Sequence, residues 1–154
     1  MANTYSQIYL HVVFAVSGRA CVIRSDRKEE LQKYITGIVT RRKQKLIAIN
    51  CMPDHTHILI GLKPDEAPSD LIGRIKTGTS NHINEQQWLG CHFSWQEGFG
   101  AFSVSHSHLN AVINYIRNRR ITIVTIRFSR SIWNFSSAMR FLTVRATFSS
   151  QLNN

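Results

Sequence analysis

The chain has 154 residues, a length that points to one domain able to bury an ordinary core. Apolar residues make up 43%, which excludes wholesale disorder, and no apolar run approaches the ~18 residues of a membrane span. Lys and Arg number 19 against 9 Asp and Glu, and the resulting +10 favours a polyanionic partner, most simply a nucleic acid.

The opening Met1–Tyr5 has no basic region ahead of an apolar stretch, so neither a secretory signal nor a membrane partner is expected. Three widely spaced cysteines, Cys21, Cys51 and Cys91, include no CxxC. They argue against a disulfide scaffold or zinc ribbon and fit a reducing, cytoplasmic setting.

In chain order, Ile8 to Ala15 is rich in Val, Ile and Phe and reads as a strand. Ser25-Asp26 is placed to cap a helix with Leu31, Tyr34, Ile35 and Ile38 at helical spacing, ending near the basic run 41–45. Leu46 to Cys51 and His55 to Leu62 read as two antiparallel strands joined by the turn Met52-Pro53-Asp54. Pro68-Ser69-Asp70 starts a second helix carrying Leu71, Ile72, Ile75 and Ile83. Cys91 to Gln96 reads as a short strand, and Ala101 to Ser105 as a further one. Ser105 or Ser107 then caps a third helix with the stripe Leu109, Val112, Ile113 and Ile116. The order β-α-β-β-α-β predicts an α+β, ferredoxin-like (split βαβ) antiparallel sheet, with helices on one face and an added C-terminal helix.

Two histidines stand at His55 and His57 in the third strand. Alternation puts them on one face with Leu59 and Gly61, while Thr56, Ile58, Ile60 and Leu62 form the core face. Two neutral imidazoles so placed can bind one divalent ion, with Asp54 orienting one of them, although an HxH alone is a weak signal. The other such pair, His106 and His108, falls at a helix start where its members diverge. His108 is therefore read as a phosphate or supporting contact. On the third helix, Tyr115, Asn118 and Arg119 share a face. A phenol such as that of Tyr115 can attack a phosphodiester that a metal polarises, but a lone tyrosine more often simply packs its ring against the sheet.

Three separated stretches then agree. Met52-Pro53-Asp54-His55-Thr56-His57-Ile58-Leu59 resembles the metal motif of HUH nucleases. Phe93 to Ser105 and Val112-Ile113-Asn114-Tyr115-Ile116 resemble the single-tyrosine transposases of small bacterial insertion sequences and their repeat-associated relatives. The resemblance covers about residues 5 to 118. It implies cutting and rejoining of single-stranded DNA that carries hairpins, through a 5′-phosphotyrosine link, with Mg2+ or Mn2+ and in a homodimer. Carried over, His55 and His57 would be metal ligands and Tyr115 the nucleophile.

Thr56 departs from the usual bulky apolar residue, a minor change on a strand. Arg119 departs more seriously, because the family usually has a metal-completing Gln there and guanidinium has no lone pair to offer. Residues 121–154 contain no Asp, Glu, Lys, His, Gly or Pro. Codon arithmetic offers an explanation. Asn118-Arg119-Arg120-Ile121-Thr122 can be spelled AAC AGA AGA ATC ACC, and one restored C turns it into Asn-Gln-Lys-Asn-His, the start of a polar helix. The chain therefore divides into a transposase-like domain, 1–118, and an atypical tail, 119–154, that an out-of-frame reading would explain.

Arg41, Arg42, Lys43 and Lys45 form a basic cluster, with Arg74 and Lys76 a second, and each could meet DNA phosphates or simply be solvated. Among Phe93, Trp95, Phe99 and Phe102, some could stack on bases, with at least half expected in the core. Two other functions share parts of the pattern: a replication or conjugation nuclease with the same His pair, and a non-catalytic single-stranded nucleic-acid-binding module on the same sheet.

Overall fold

The computed structural model describes residues 3–17 and 22–118. They belong to one compact unit spanning Met1–Ile121. The expectations about Arg119 and the tail 119–154 lie outside the described residues, as does Cys21.

Four strands, β1 (Ile8–Ala15), β2 (Lys45–Cys51), β3 (His55–Leu62) and β4 (Gly100–Val104), form one sheet in the order β2-β3-β1-β4. Every neighbouring pair is antiparallel. Helix α1 (Lys28–Arg41) links β1 to β2, and α2 (Pro68–Glu85) links β3 to β4. Helix α3 (Leu109–Arg117) follows β4. This is the expected α+β, ferredoxin-like arrangement.

The first face of the sheet holds the main core. Val12 and Phe14 of β1 and Ile58, Ile60 and Leu62 of β3 point the same way, as period-2 alternation requires. They pack against Leu31, Ile35 and Val39 of α1 and Leu71, Ile72 and Ile75 of α2, the apolar stripes of two amphipathic helices. Gly78 lets these helices approach closely, since a Cβ there would stand 3.0 Å from the Ile38 side chain.

The second face is covered as well. Ala48, Leu59 and Ile116 are buried there, with Ile47, Val104, Leu109, Val112, Ile113 and Tyr115 packed against them. A register shift between Leu46 and Ala48 marks a β-bulge in β2. One extra residue reverses the alternation beyond it, so Ala48 and Asn50 face α3 while Ile49 and Cys51 face the main core. The bulge thereby gives α3 an apolar seat.

Several local expectations are corrected. Cys91 to Gln96 is no strand; only Trp95 forms an isolated bridge, to Val16. Its aromatics mark core packing instead, because Phe93 and Trp95 are buried against Phe14 and the helices. Ser25-Asp26 and His106–His108 lie in 3-10 turns, and no serine side chain caps either following helix. Cys51 is a buried free thiol, whereas Cys91 is disulfide-bonded, which goes against the reducing setting expected from the cysteine spacing. No helix among the described residues is long and apolar enough to cross a membrane.

Candidate active site

Strand alternation brings His55 and His57 to the second face, as expected, with ring centroids 4.9 Å apart. Helix α3 lies over this face. His57 is only 4% exposed, while His55 stays half-buried. Tyr115, on α3, brings its ring edge to within 6.0 Å of His57, centroid to centroid. The three residues singled out from the sequence therefore meet within one chain.

Each imidazole has its Nδ1 engaged. The Asp54 carboxylate accepts from His55 Nδ1 at 2.6 Å, the orienting contact expected of it. Asp54 itself is exposed at the β2–β3 turn, and its backbone oxygen accepts from Val16 N–H at 2.8 Å. His57 Nδ1 lies 2.9 Å from His11 Nε2, in a buried contact. A neutral imidazole whose Nδ1 carries the proton keeps its lone pair on Nε2, the form that ligates a metal.

His11 is the member of this cluster that sequence reasoning missed. It is 2% exposed, stacks on His57 with centroids 5.1 Å apart, and meets the Tyr115 ring edge-on at 6.1 Å. Its strand partner is Leu59, so it stands diagonally across from His57, whose own partner is Val13. Phe102 of β4, half-buried, adds a further ring 6.3 Å from His11. Of the four aromatics considered for base stacking, Phe102 lies on this face, while Phe93, Trp95 and Phe99 pack in or against the main core.

A second overlooked residue fixes the tyrosine. The buried Asn50 side-chain amide donates to the Ile116 carbonyl at 2.8 Å. Carbonyls in a helix's last turn have no partner within the helix, so a side chain from β2 meets one of them next to Tyr115. The bulge made Asn50 hard to place, because strict alternation from Leu46 would have turned it to the other face.

The remaining expected residues lie around this centre or away from it. His108 is exposed, with Nδ1 2.6 Å from Ser105 Oγ. Asn118 is exposed just beyond α3. Arg41, Lys43, Lys45 and Arg74 are exposed. Arg42 is held by Glu66, at 2.6 Å. Lys76 donates to the Gln96 and Gly98 carbonyls, each at 2.6 Å, and so ties α2 to the loop before β4. Desolvation lowers its pKa, with Glu97 opposing. Among the described residues no group of three His, Cys, Asp or Glu is arranged for a metal.

The chain is 22% identical over 120 residues to the ISDra2 transposase TnpA of Deinococcus radiodurans, covering 73% of this chain and 84% of that protein. A crystal structure from D. radiodurans R1, assigned as a transposase, superposes with a TM-score of 0.58 at 21% identity, covering 79% of this chain and 98% of that one. A REP-associated tyrosine transposase bound to a REP hairpin gives 0.57 at 17% identity, covering 75% and 68%. At such identities the two structures establish the shared fold. The family model for IS200-like transposases matches residues 4–119, well over half of the sequence, and it spans the His pair and Tyr115 alike. On that match the chain belongs to the IS200-like transposase family.

Proposed function

We propose that this domain cuts and rejoins single-stranded DNA carrying hairpins, with Tyr115 as nucleophile and His55 and His57 as ligands of Mg2+ or Mn2+. The observation that carries the reading is the meeting of Tyr115 with two imidazoles whose Nδ1 atoms are both engaged. With the proton of each contact on Nδ1, the two Nε2 atoms would be the donors offered to a divalent ion, the remaining positions being left to phosphate and water oxygens. When bound, the ion polarises the scissile phosphate and offsets its developing charge.

The chain's own part is nucleophilic. The Tyr115 phenol oxygen attacks phosphorus, and its proton passes to solvent. The bond from phosphorus to the 3′-oxygen breaks, and that oxygen takes up a proton to become a 3′-hydroxyl. The DNA is left joined to Tyr115 through its 5′-phosphate. Attack by a 3′-hydroxyl on this link reverses the step and rejoins a strand. Edge-on packing by His57 and His11, and the Asn50 anchor, hold the phenol's helix against the His pair. Arg41, Lys43, Lys45 and Arg74 are exposed cations suited to phosphates, and Phe102 is placed for a base or sugar close to the site.

The solved REP-associated relative bound to a hairpin supports the same class of partner here. A homodimer is the assembly proposed, formed most simply through a strand of the sheet. Arg119 cannot replace a ligating Gln, so this chain is expected to cleave poorly. A chain with the single C restored, hence Gln at position 119 and a polar helix behind it, is expected to cleave well.

The test incubates labelled single-stranded hairpin DNA with the frame-restored chain and Mn2+. Cleavage that needs the ion and falls by at least about 100-fold in His55→Ala and His57→Ala supports the reading. Ion-independent cleavage, or cleavage indifferent to both substitutions, contradicts it.

A further inference from the structure

Two imidazoles 2.9 Å apart cannot share a hydrogen bond in any arrangement they like. When both are neutral, one nitrogen carries the proton and the other accepts. If His11 Nε2 donates, His57 is protonated on Nε2 and has no lone pair there. If His11 Nε2 accepts, the proton sits on His57 Nδ1 and Nε2 carries a lone pair. We infer that His11 is a positioning residue that accepts from His57 Nδ1 and so fixes His57 in its metal-ligating tautomer. This inference rests on the metal reading of the His pair.

Three observations carry it. His11 and His57 are both buried, at 2% and 4% exposure, so water is poorly placed to stand in for either partner. The contact is also a ring stack, with an interplanar angle of 26°, which restricts the rotation of both rings. Finally, the other imidazole has the same arrangement by different means, since Asp54 can only accept from His55 Nδ1. An exposed carboxylate serves the outer histidine, and a buried neutral acceptor serves the inner one. A carboxylate at position 11 would place a charge among Tyr115, Phe102 and His57, where burial makes it costly.

The experiment has two readouts on the full-length chain. In the metal-free protein, nitrogen NMR of the imidazoles should show His57 with a proton-bearing Nδ1 and a lone pair on Nε2. In His11→Phe, which keeps a ring but no acceptor, the Nε2-protonated form should appear. Mn2+ binding, followed by the loss of free-ion EPR signal, should weaken about 10- to 100-fold in His11→Phe and stay within about threefold of the parent in His11→Gln, whose carbonyl can accept. A parent His57 protonated on Nε2, or His11→Phe binding Mn2+ as tightly as the parent, overturns the positioning role while the metal reading stands. Parent binding unchanged by His55→Ala and His57→Ala overturns the metal reading and this role with it. If His11→Phe does not fold, the parent tautomer and the His11→Gln affinity decide.

Discussion

Asn50 of β2 reaches across the second face of the sheet and holds the carbonyl of Ile116, one residue beyond Tyr115, at 2.8 Å. The proposed nucleophile is thus anchored from the strand beside the one that carries both histidines. Asn50 is itself the strand partner of His57. Two neighbouring backbone positions therefore hold the proposed ligand and the helix of the residue it is proposed to work with.

Removing that anchor is expected to loosen α3 before the rest of the domain. Asn50→Ala leaves the Ile116 carbonyl and its surroundings short of a donor, a cost of about 1–3 kcal/mol. Urea denaturation should register the loss. Amide exchange should quicken in α3 and remain slow in α1 and α2. Uniformly unchanged exchange in α3 would show that apolar contacts with Ala48 and Leu59 suffice to hold it.

Thr56 offers a gain. Its side chain is buried toward the main core, and its hydroxyl makes no hydrogen bond of ordinary geometry. Its strand partner is Cys51, whose thiol is only a weak hydrogen-bonding group. Thr56→Val keeps the branched shape and removes the hydroxyl, so stability should hold or rise, by up to about 1–2 kcal/mol. A thermal melt suffices. A loss exceeding about 1 kcal/mol would mean that the hydroxyl is satisfied in solution.

Burial pushes the Cys51 thiol up to about 11, from an ordinary 9.0, with Thr56 and Lys28 opposing. Between those values the unfolded chain gives up the proton while the folded one keeps it. Stability therefore falls as pH rises from about 9 to 11, by roughly 2–3 kcal/mol in total. Cys51→Ala should show that much less loss over the same window. At pH 8 the native thiol should resist alkylation and react only after unfolding. Rapid labelling of native Cys51 at pH 8 would contradict its burial.

Runs rich in Val, Ile, Leu and Phe made β1, β2 and β3 legible, and the spacing of Leu31, Ile35 and Leu71, Ile72, Ile75 did the same for α1 and α2. His55 and His57 were legible as a pair because strand geometry alone puts i and i+2 on one face. Asp54 was legible because it neighbours His55 in sequence. His11 was not, since its contact with His57 spans 46 positions and depends on which strands pair and in what register. Asn50 was hidden by the bulge, which no local pattern in Lys45–Cys51 announces. The false strand at Cys91 to Gln96 came from aromatics whose burial is set by α2 and β1 and not by ladder hydrogen bonds. The depth of His57 escaped notice because covering the second face depends on where α3 docks.

Tyr115 is proposed to become covalently joined to DNA, and mapping that bond is the decisive measurement. Single-stranded hairpin DNA is incubated with Mn2+ and either this chain or the frame-restored one, then the protein is digested and its nucleotide-bearing peptides are identified by mass spectrometry. A phosphate-linked nucleotide is expected on Tyr115, abundant in the frame-restored chain, scarce in this one, and absent from Tyr115→Phe, which should still fold and bind the hairpin. Cleavage without any adduct, an adduct on another residue, or an adduct that survives in Tyr115→Phe would contradict it.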